Sequence, residues 1–126
     1  QMAKRKVTNL TDVSEITCVV QKGMADEIVQ SLLDAGIQGA TVHSGVGTGI
    51  RERMGLLGVA VEVEREIVQV LVSKDQVDRI FERMYLAGRL DTPGMGYIYA
   101  APLVQAATYI PAHLLEDKDS LSSLGV

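Results

Sequence analysis

The apolar positions change their period along the chain, and each change marks an element. Ile16 to Val20 is a short run rich in β-branched residues, closed by Gln21-Lys22-Gly23, and it predicts a buried strand. Met24, Ile28, Leu32 and Leu33 then recur at helical spacing, with Asp26 and Glu27 in the first turn, where the helix dipole favours acids, and Gly36 as the cap. Gly39 to Ser44 alternates as a second strand does, and a glycine-rich stretch follows it. Val59 to Val72 interleaves Val, Ile and Leu with Glu62, Glu64, Arg65 and Glu66, which reads as a long strand or one limb of a hairpin. Ser73 to Asp75 offers a helix cap, and Val77, Ile80, Phe81 and Met84 form the stripe of a second helix ending near Gly88. Gly96 to Leu103 gives the fourth strand, after which the pattern fades.

The two halves repeat. A shift of 52 residues lays the first strand and helix on the third strand and second helix, placing Lys22 on Lys74, Ile28 on Ile80, Ala35 on Ala87 and Gly36 on Gly88. Val19 then falls on Leu71, Val20 on Val72, Val29 on Phe81 and Leu32 on Met84. A β-α-β unit used twice predicts a ferredoxin-like α+β fold, βαββαβ, with a four-stranded antiparallel sheet and two helices on one face. The other face of such a sheet is bare, and its Val-rich strands predict that symmetric self-association covers it.

Composition narrows the function. A length of 126 residues is one domain with one core, and 47% apolar against 22% charged residues is ordinary for a folded protein. Twelve Lys and Arg against sixteen Asp and Glu leave a net charge of -4, the wrong sign for gripping a polyphosphate backbone, and the chain has one Phe and no Trp for stacking on bases. No run approaches the ~18 apolar residues of a membrane span. A single cysteine, Cys18, fits a reducing compartment, and its apolar neighbours mark it as a small buried hydrophobe. The expectation is a soluble, cytoplasmic protein. Residues 1–15 read as a disordered arm, 16–111 as the domain and 112–126 as a flexible acidic and serine-rich tail.

Candidate chemistry gathers at the glycines. Phosphates need backbone N–H groups that can approach closely and cations that stay charged; Gly45, Gly47 and Gly49 offer the first, and Arg51, Arg53 and Arg89 the second. A mobile surface loop needs the same glycines, so the motif alone leaves both readings open. His43 beside this stretch reads as structural for want of a second His or Cys nearby, and His113 as an exposed tail residue. Glu62, Glu64 and Glu66 share a strand face that could hold a metal, and the blander reading is a solvated face. Met24 and Met84 belong to the core stripes, and Met54 is a candidate partner contact. No Ser/His/Asp or Cys/His set suggests nucleophilic catalysis.

Taken in order, these segments resemble the PII signal-transduction family from about Ile16 to Leu103. Ala35-Gly36-Ile37-Gln38-Gly39-Ala40-Thr41-Val42 is similar to the family's Leu-Gly-Ile and Gly-x-Thr-Val motifs. Gly45-Val46-Gly47-Thr48-Gly49 stands where the family has Gly-Phe-Gly-Arg-Gln at the base of its T-loop, without the Arg-Gln pair. Ala87 to Ala100 stands at the nucleotide-closing B-loop, with Arg89, Gly94 and Gly96 in register and Met95, Thr92 and Tyr97 replacing an Asp and two lysines. The stretch from Gly47 to Gly58 is short for a T-loop and carries no tyrosine for nucleotidylation, and Val104 to Pro111 lacks the family's Arg pair.

The resemblance implies a homotrimeric regulator, not an enzyme, with no cofactor beyond a regulatory ligand. That ligand would be an adenine nucleotide, ADP, AMP or ATP, or a small anion, held in inter-subunit clefts by Gly45, Gly47, Gly49, Arg51, Arg53, Arg89, Gly94, Met95 and Gly96. Each lost charge-assisted contact is worth about 1.5–3 kcal/mol, so ATP suffers most and fewer phosphates are preferred. Arg51, Glu52, Arg53 and Met54 would contact a partner, a membrane transporter or metabolic enzyme. The alternative within the same fold is a CutA-like metal-binding trimer, and a small enzyme on a ferredoxin-like scaffold is a third possibility, because fold alone never settles function.

Overall fold

A computed structural model of the chain describes residues 7–48 and 62–108. The expected contacts at Gly49, Arg51, Glu52, Arg53 and Met54, and the expected tail, lie outside the described residues. The elements run β1 (Asn9–Leu10), β2 (Val13–Gln21), α1 (Ala25–Asp34), β3 (Thr41–Thr48), β4 (Glu62–Ser73), a single 3-10 turn (Lys74–Gln76), α2 (Val77–Ala87), β5 (Gly96–Pro102) and β6 (Ala106–Ala107). β3, β4, β2 and β5 make one antiparallel sheet in that spatial order, the ferredoxin-like arrangement predicted from the doubled β-α-β pattern.

Both helices lie on one face of the sheet because both bury one apolar stripe against the same alternate strand positions. Ile16, Cys18 and Val20 of β2 and Val68, Val70 and Val72 of β4 meet Ala25, Ile28 and Leu32 of α1 and Ile80 and Met84 of α2 in a single cluster. Burial of an aliphatic side chain is worth about 1.5–3 kcal/mol, so this stripe-on-sheet contact is what stabilises the domain. Burial also pushes the Cys18 thiol up to about 11.

The 52-residue repeat is visible in the register. β2 and β4 pair antiparallel with Thr17 opposite Gln69, and Gln69 is also the residue 52 places beyond Thr17. On either side Ile16 faces Val70 and Cys18 faces Val68, pairs that the same shift exchanges. A pseudo-twofold axis therefore passes between Thr17 and Gln69, and the two β-α-β units are related across it.

The helix ends show how far the repeat holds. After α1, Gly36 takes a left-handed φ of +83°, its N–H bonds to Leu33 O at 2.9 Å, and the Ile37 N–H bonds to Leu32 O at 2.9 Å, a Schellman termination with Ile37 buried as its apolar anchor. α2 closes the same way one residue later than the alignment predicts. Its left-handed residue is Arg89, φ +54°, with Arg89 N to Leu86 O and Leu90 N to Tyr85 O both at 3.1 Å. Gly88 is helical, and what it provides is space: an added Cβ would lie 3.2 Å from Met84 O and 3.3 Å from Ile28 Cδ1.

Order also begins earlier than composition predicts. β2 starts at Val13, inside the stretch expected to be an arm, and β1 pairs with β6. Leu10 and Val13 are buried against Leu71, Leu103 and Ala106, which outweighs the polarity of the surrounding residues. The opposite, helix-free face of the sheet carries a row His43, Ile67, Val19, Tyr97 and a row Thr41, Gln69, Thr17, Tyr99, set by the register. Tyr97 and Tyr99 are 58% and 46% exposed and stack with centroids 6.4 Å apart.

Candidate functional site

The expected site residues that the structure describes collect at one end of the sheet, where β2 finishes and β4 and β5 begin. Gly45 of β3 pairs with Arg65 of β4, and Arg65 pairs with Gln21 of β2. One residue inward, Val20 pairs with Gly96, the first residue of β5. The two glycine segments therefore share an end but occupy opposite edges, three inter-strand spacings or about 14 Å apart.

Gly45 and Gly47 are strand residues, not loop residues. Their expected place in a loop gives way because β4 supplies a backbone ladder, Gly45 to Arg65 and Gly47 to Val63, that compensates the entropic cost of ordering glycine. An edge strand still leaves alternate N–H groups unpaired on its outer side. The segment around Gly94, Met95 and Gly96 is pinned to β2 by Gln21 Nε2, which donates to Gly94 O at 3.0 Å, and is held within its own turn by Met95 N, which donates to Thr92 O at 3.2 Å. Gly96, at φ +136°, sits so close to β2 that a Cβ would stand 1.9 Å from Val19 O. Arg89 lies at the same end, its Nη2 3.9 Å from Glu27 Oε2 on the first turn of α1.

An open pocket of about 310 Å³ lies at the β3 edge of this end, lined by Lys22, Ser44, Gly45, Glu64 and Arg65. Of these only Gly45 is among the residues singled out by glycine spacing. Lys22 Nζ is 2.8 Å from Glu64 Oε2, and that contact, first as a hydrogen bond and then through charge, raises the lysine above its ordinary value. Arg65 behaves differently. Its Nη1 is buried and has no hydrogen-bond partner among the described residues. A buried guanidinium nitrogen without an acceptor is costly. The signal in the sequence was faint: Arg65 is a lone cation on a strand face that otherwise carries Ile67, Gln69 and Leu71.

The glutamates expected on a solvated face have distinct engagements. Glu64 is exposed but paired to Lys22. Glu66 is half-buried, and its Oε1 accepts the Gly23 N–H at 2.7 Å and the Ala25 N–H at 3.1 Å. It thereby caps α1, whose N-cap Met24 has no side chain able to do so. His43 Nε2 lies 3.2 Å from Gln69 Oε1 on the helix-free face, a structural engagement. Among the described residues no helix is long and apolar enough to cross a membrane.

Fold and pocket together define the class: a doubled β-α-β, ferredoxin-like α+β domain whose candidate ligand groups gather at one end of the sheet. Within that class, the family model of nitrogen regulatory protein P-II matches residues 13–111, and the chain belongs to that family. Proteins of this family are regulatory. The crystal structure of Arabidopsis thaliana PII bound to citrate has the same fold, with a TM-score of 0.59 and 22% identity over 74% of this chain and 78% of that one. A comparison with curated proteins finds no match. β1 precedes the family match and pairs with β6, which lies inside it.

Proposed function

We propose that this chain is a P-II-type regulator that binds a small anionic effector and passes its state to a partner protein. The observations that carry this reading are the open pocket beside Gly45, lined by Lys22, Ser44, Glu64 and Arg65, and the buried Arg65 Nη1, which has no acceptor among the described residues. A carboxylate or phosphate oxygen in the pocket would meet Lys22, and an approach that uncovered Arg65 Nη1 would supply the acceptor that nitrogen lacks. The effector class is an adenine nucleotide, with ADP or AMP preferred to ATP, or a small carboxylate. A tricarboxylate, citrate, is bound by the Arabidopsis relative, which favours the anion class without fixing the ligand.

The separation of the glycine segments supports a ligand site completed by a second subunit. Gly45 and Gly96 stand on opposite sheet edges, so a nucleotide touching both kinds of segment is best placed between copies. The half-exposed Tyr97 and Tyr99, with Val19 and Ile67 on the same helix-free face, favour a homotrimer that covers this face. Arg51 to Met54 would meet a transporter or metabolic enzyme in the cytoplasm, and the protein would regulate without catalysing. The metal-binding alternative gains no support at Glu64 and Glu66, since one carboxylate holds Lys22 and the other holds two backbone N–H groups.

Calorimetric titration of the full chain with ADP, AMP, ATP and citrate tests the reading. Saturable binding of one of them, lost on Arg65→Gln with the circular dichroism unchanged, is the expected result. Absence of binding at millimolar concentration, or equal binding by the variant, would overturn it.

A further inference from the structure

Three successive residues between β2 and α1 reach three other points of the chain. Gln21 Nε2 donates to Gly94 O at 3.0 Å, Lys22 Nζ lies 2.8 Å from Glu64 Oε2, and the Gly23 N–H donates to Glu66 Oε1 at 2.7 Å. Gly94 lies two residues before β5. Glu64 and Glu66 are the ladder partners of Val46 and Ser44, on either side of Gly45. One short turn therefore touches both glycine segments, although they stand on opposite edges of the sheet.

The geometry of that turn has two solutions. The Met24 N–H donates to Gln21 O at 3.2 Å and closes four residues; Gly23, third of them, has φ +97°, and Lys22, second, is not left-handed. These are the features of a type II turn. A type I turn closes the same hydrogen bond with the peptide between its second and third residues rotated by about half a turn, and glycine in the third place allows either. In the form present, the Gly23 N–H meets Glu66; rotated, it would point away. Glu66 is half-buried, and the same oxygen also accepts the Ala25 N–H at 3.1 Å, so the first residue of α1 holds the carboxylate where the choice is made. A hydrogen bond to an ionised acceptor is about twice as strong as a neutral one.

We infer that the Gln21–Met24 turn is a two-state joint, held in one state by Glu66, through which the glycine segment of β3 is coupled to the one that opens β5. Glu66 is a positioning residue that acts through the turn. Drawing it off Gly23 loosens the turn, and with it the strand end from which Gln21 holds Gly94. As a signalling route this rests on the effector-binding reading above; the coupling itself belongs to the free chain.

Amide hydrogen exchange followed by NMR tests it on the full chain, on Glu66→Ala, Glu66→Gln, Gly23→Ala and Gln21→Ala, and on the Glu66→Ala/Gln21→Ala double variant. The reporters are the Met24 N–H, bonded to Gln21 O, and the Met95 N–H, bonded to Thr92 O. Val68 and Val70, in the middle of β4, report on global stability. Glu66→Ala is expected to speed exchange about three- to tenfold at Met24, the range set by one lost hydrogen bond, and about twofold or more at Met95. Val68 and Val70 should stay as they are. Glu66→Gln keeps a neutral acceptor and should fall between. In the Gln21→Ala background, loss of Glu66 should still release Met24 but no longer alter Met95. Gly23→Ala should reproduce the pattern with Glu66 intact, because an added Cβ meets nothing within 4 Å and acts on φ alone.

The joint is overturned if Met95 ignores both Glu66 variants, or if it responds as strongly without Gln21. Equal acceleration at Val68, Val70 and Met95 in Glu66→Gln would mean a general loss of stability and would also overturn it. So would a Gly23→Ala chain whose Met24 and Met95 exchange as in the native protein. Calorimetry with citrate and ADP on the same samples separates the two readings. Coupling in a chain that binds neither probe leaves the joint standing and removes the effector reading, while a bound probe with Met95 uncoupled removes only the joint.

Discussion

Arg83 of α2 donates from Nη1 to the carbonyl oxygen of Ser31 in α1 at 3.2 Å, and the two residues are 52 places apart. They are therefore repeat mates: the side chain of one half reaches the backbone of its own counterpart in the other. The contact joins the two helices over the same sheet face where Ile28 and Ile80, also repeat mates, are fully buried. Ser31 O also accepts the Ala35 N–H at 3.2 Å, so the guanidinium adds a second bond to that carbonyl, worth about 1 kcal/mol net. Arg83→Ala is expected to lower the unfolding free energy by roughly that amount in urea, with the m-value unchanged. No change in the midpoint would show that the two helices are held by the apolar stripe alone.

The end of α2 makes an opposite pair of predictions. Arg89 is a non-glycine residue in the left-handed region, whereas Gly88, one place earlier, is helical and crowded by Met84 and Ile28. Arg89→Gly relieves the backbone, and the exposed pair with Glu27 that it sacrifices contributes little, so the variant should gain up to about 1 kcal/mol. Gly88→Ala should lose stability instead, because its methyl group meets a carbonyl and a core side chain. Thermal unfolding of both variants checks the pair, and a stabilised Gly88→Ala would contradict the packing account.

Gly96 is a sharper case. Its φ of +136° and the 1.9 Å approach of an added Cβ to Val19 O act together against any side chain. Gly96→Ala is expected to cost about 3 kcal/mol or more and to loosen β5 from β2, through strain at a special backbone conformation and a clash with main chain. Amide exchange should show lost protection across Gly96–Pro102 while α1 keeps its own. Unaltered protection of β5 would refute the close approach.

Cys18 predicts a pH dependence. Its folded thiol titrates near 11 because burial disfavours the thiolate, against 9.0 for a thiol in an open chain. Between pH 9 and about 11 the unfolded chain therefore holds fewer protons at this site than the folded one, so stability falls as pH rises through that window. Below pH 9 both states carry the proton and the term vanishes. Cys18→Ser would bury a hydroxyl among apolar neighbours, so the comparison is with Cys18→Ala, whose alkaline loss of stability should be shallower. Iodoacetamide at pH 8 should label Cys18 only as fast as the protein opens; rapid labelling of the folded chain would sink this account.

Local periodicity carried much of the fold. The stripe of Ile28 and Leu32, the matching stripe of Ile80 and Met84, and the alternation of Ile16, Cys18 and Val20 became the core cluster. The doubled unit followed from the same spacing, and with it the helix-free sheet face. Gly36 was readable as a cap because a left-handed residue after a helix favours glycine. α2 does end at Gly88, as its spacing predicts, but there the glycine is kept for space and the left-handed φ passes to Arg89, a distinction that two glycines identical in sequence do not show. Gly45 and Gly47 were read as loop because glycine lowers strand propensity, a local preference that the long β4 ladder overrides.

What the sequence determined by itself was therefore the set of elements and their order, the apolar faces that join them, and membership of a recognisable family pattern. These depend on spacing within a dozen residues. What only the tertiary structure decided was the company each polar residue keeps: Arg65 between Gly45 and Gln21, Glu64 on Lys22, Glu66 over the N-terminus of α1, Arg83 on Ser31. Those partners come from elements some forty or more residues away or from adjacent strands in a sheet. A register shift of one residue would turn the strand side chains among them, Glu64, Arg65 and Glu66, to the other face, and local spacing places no limit on that shift.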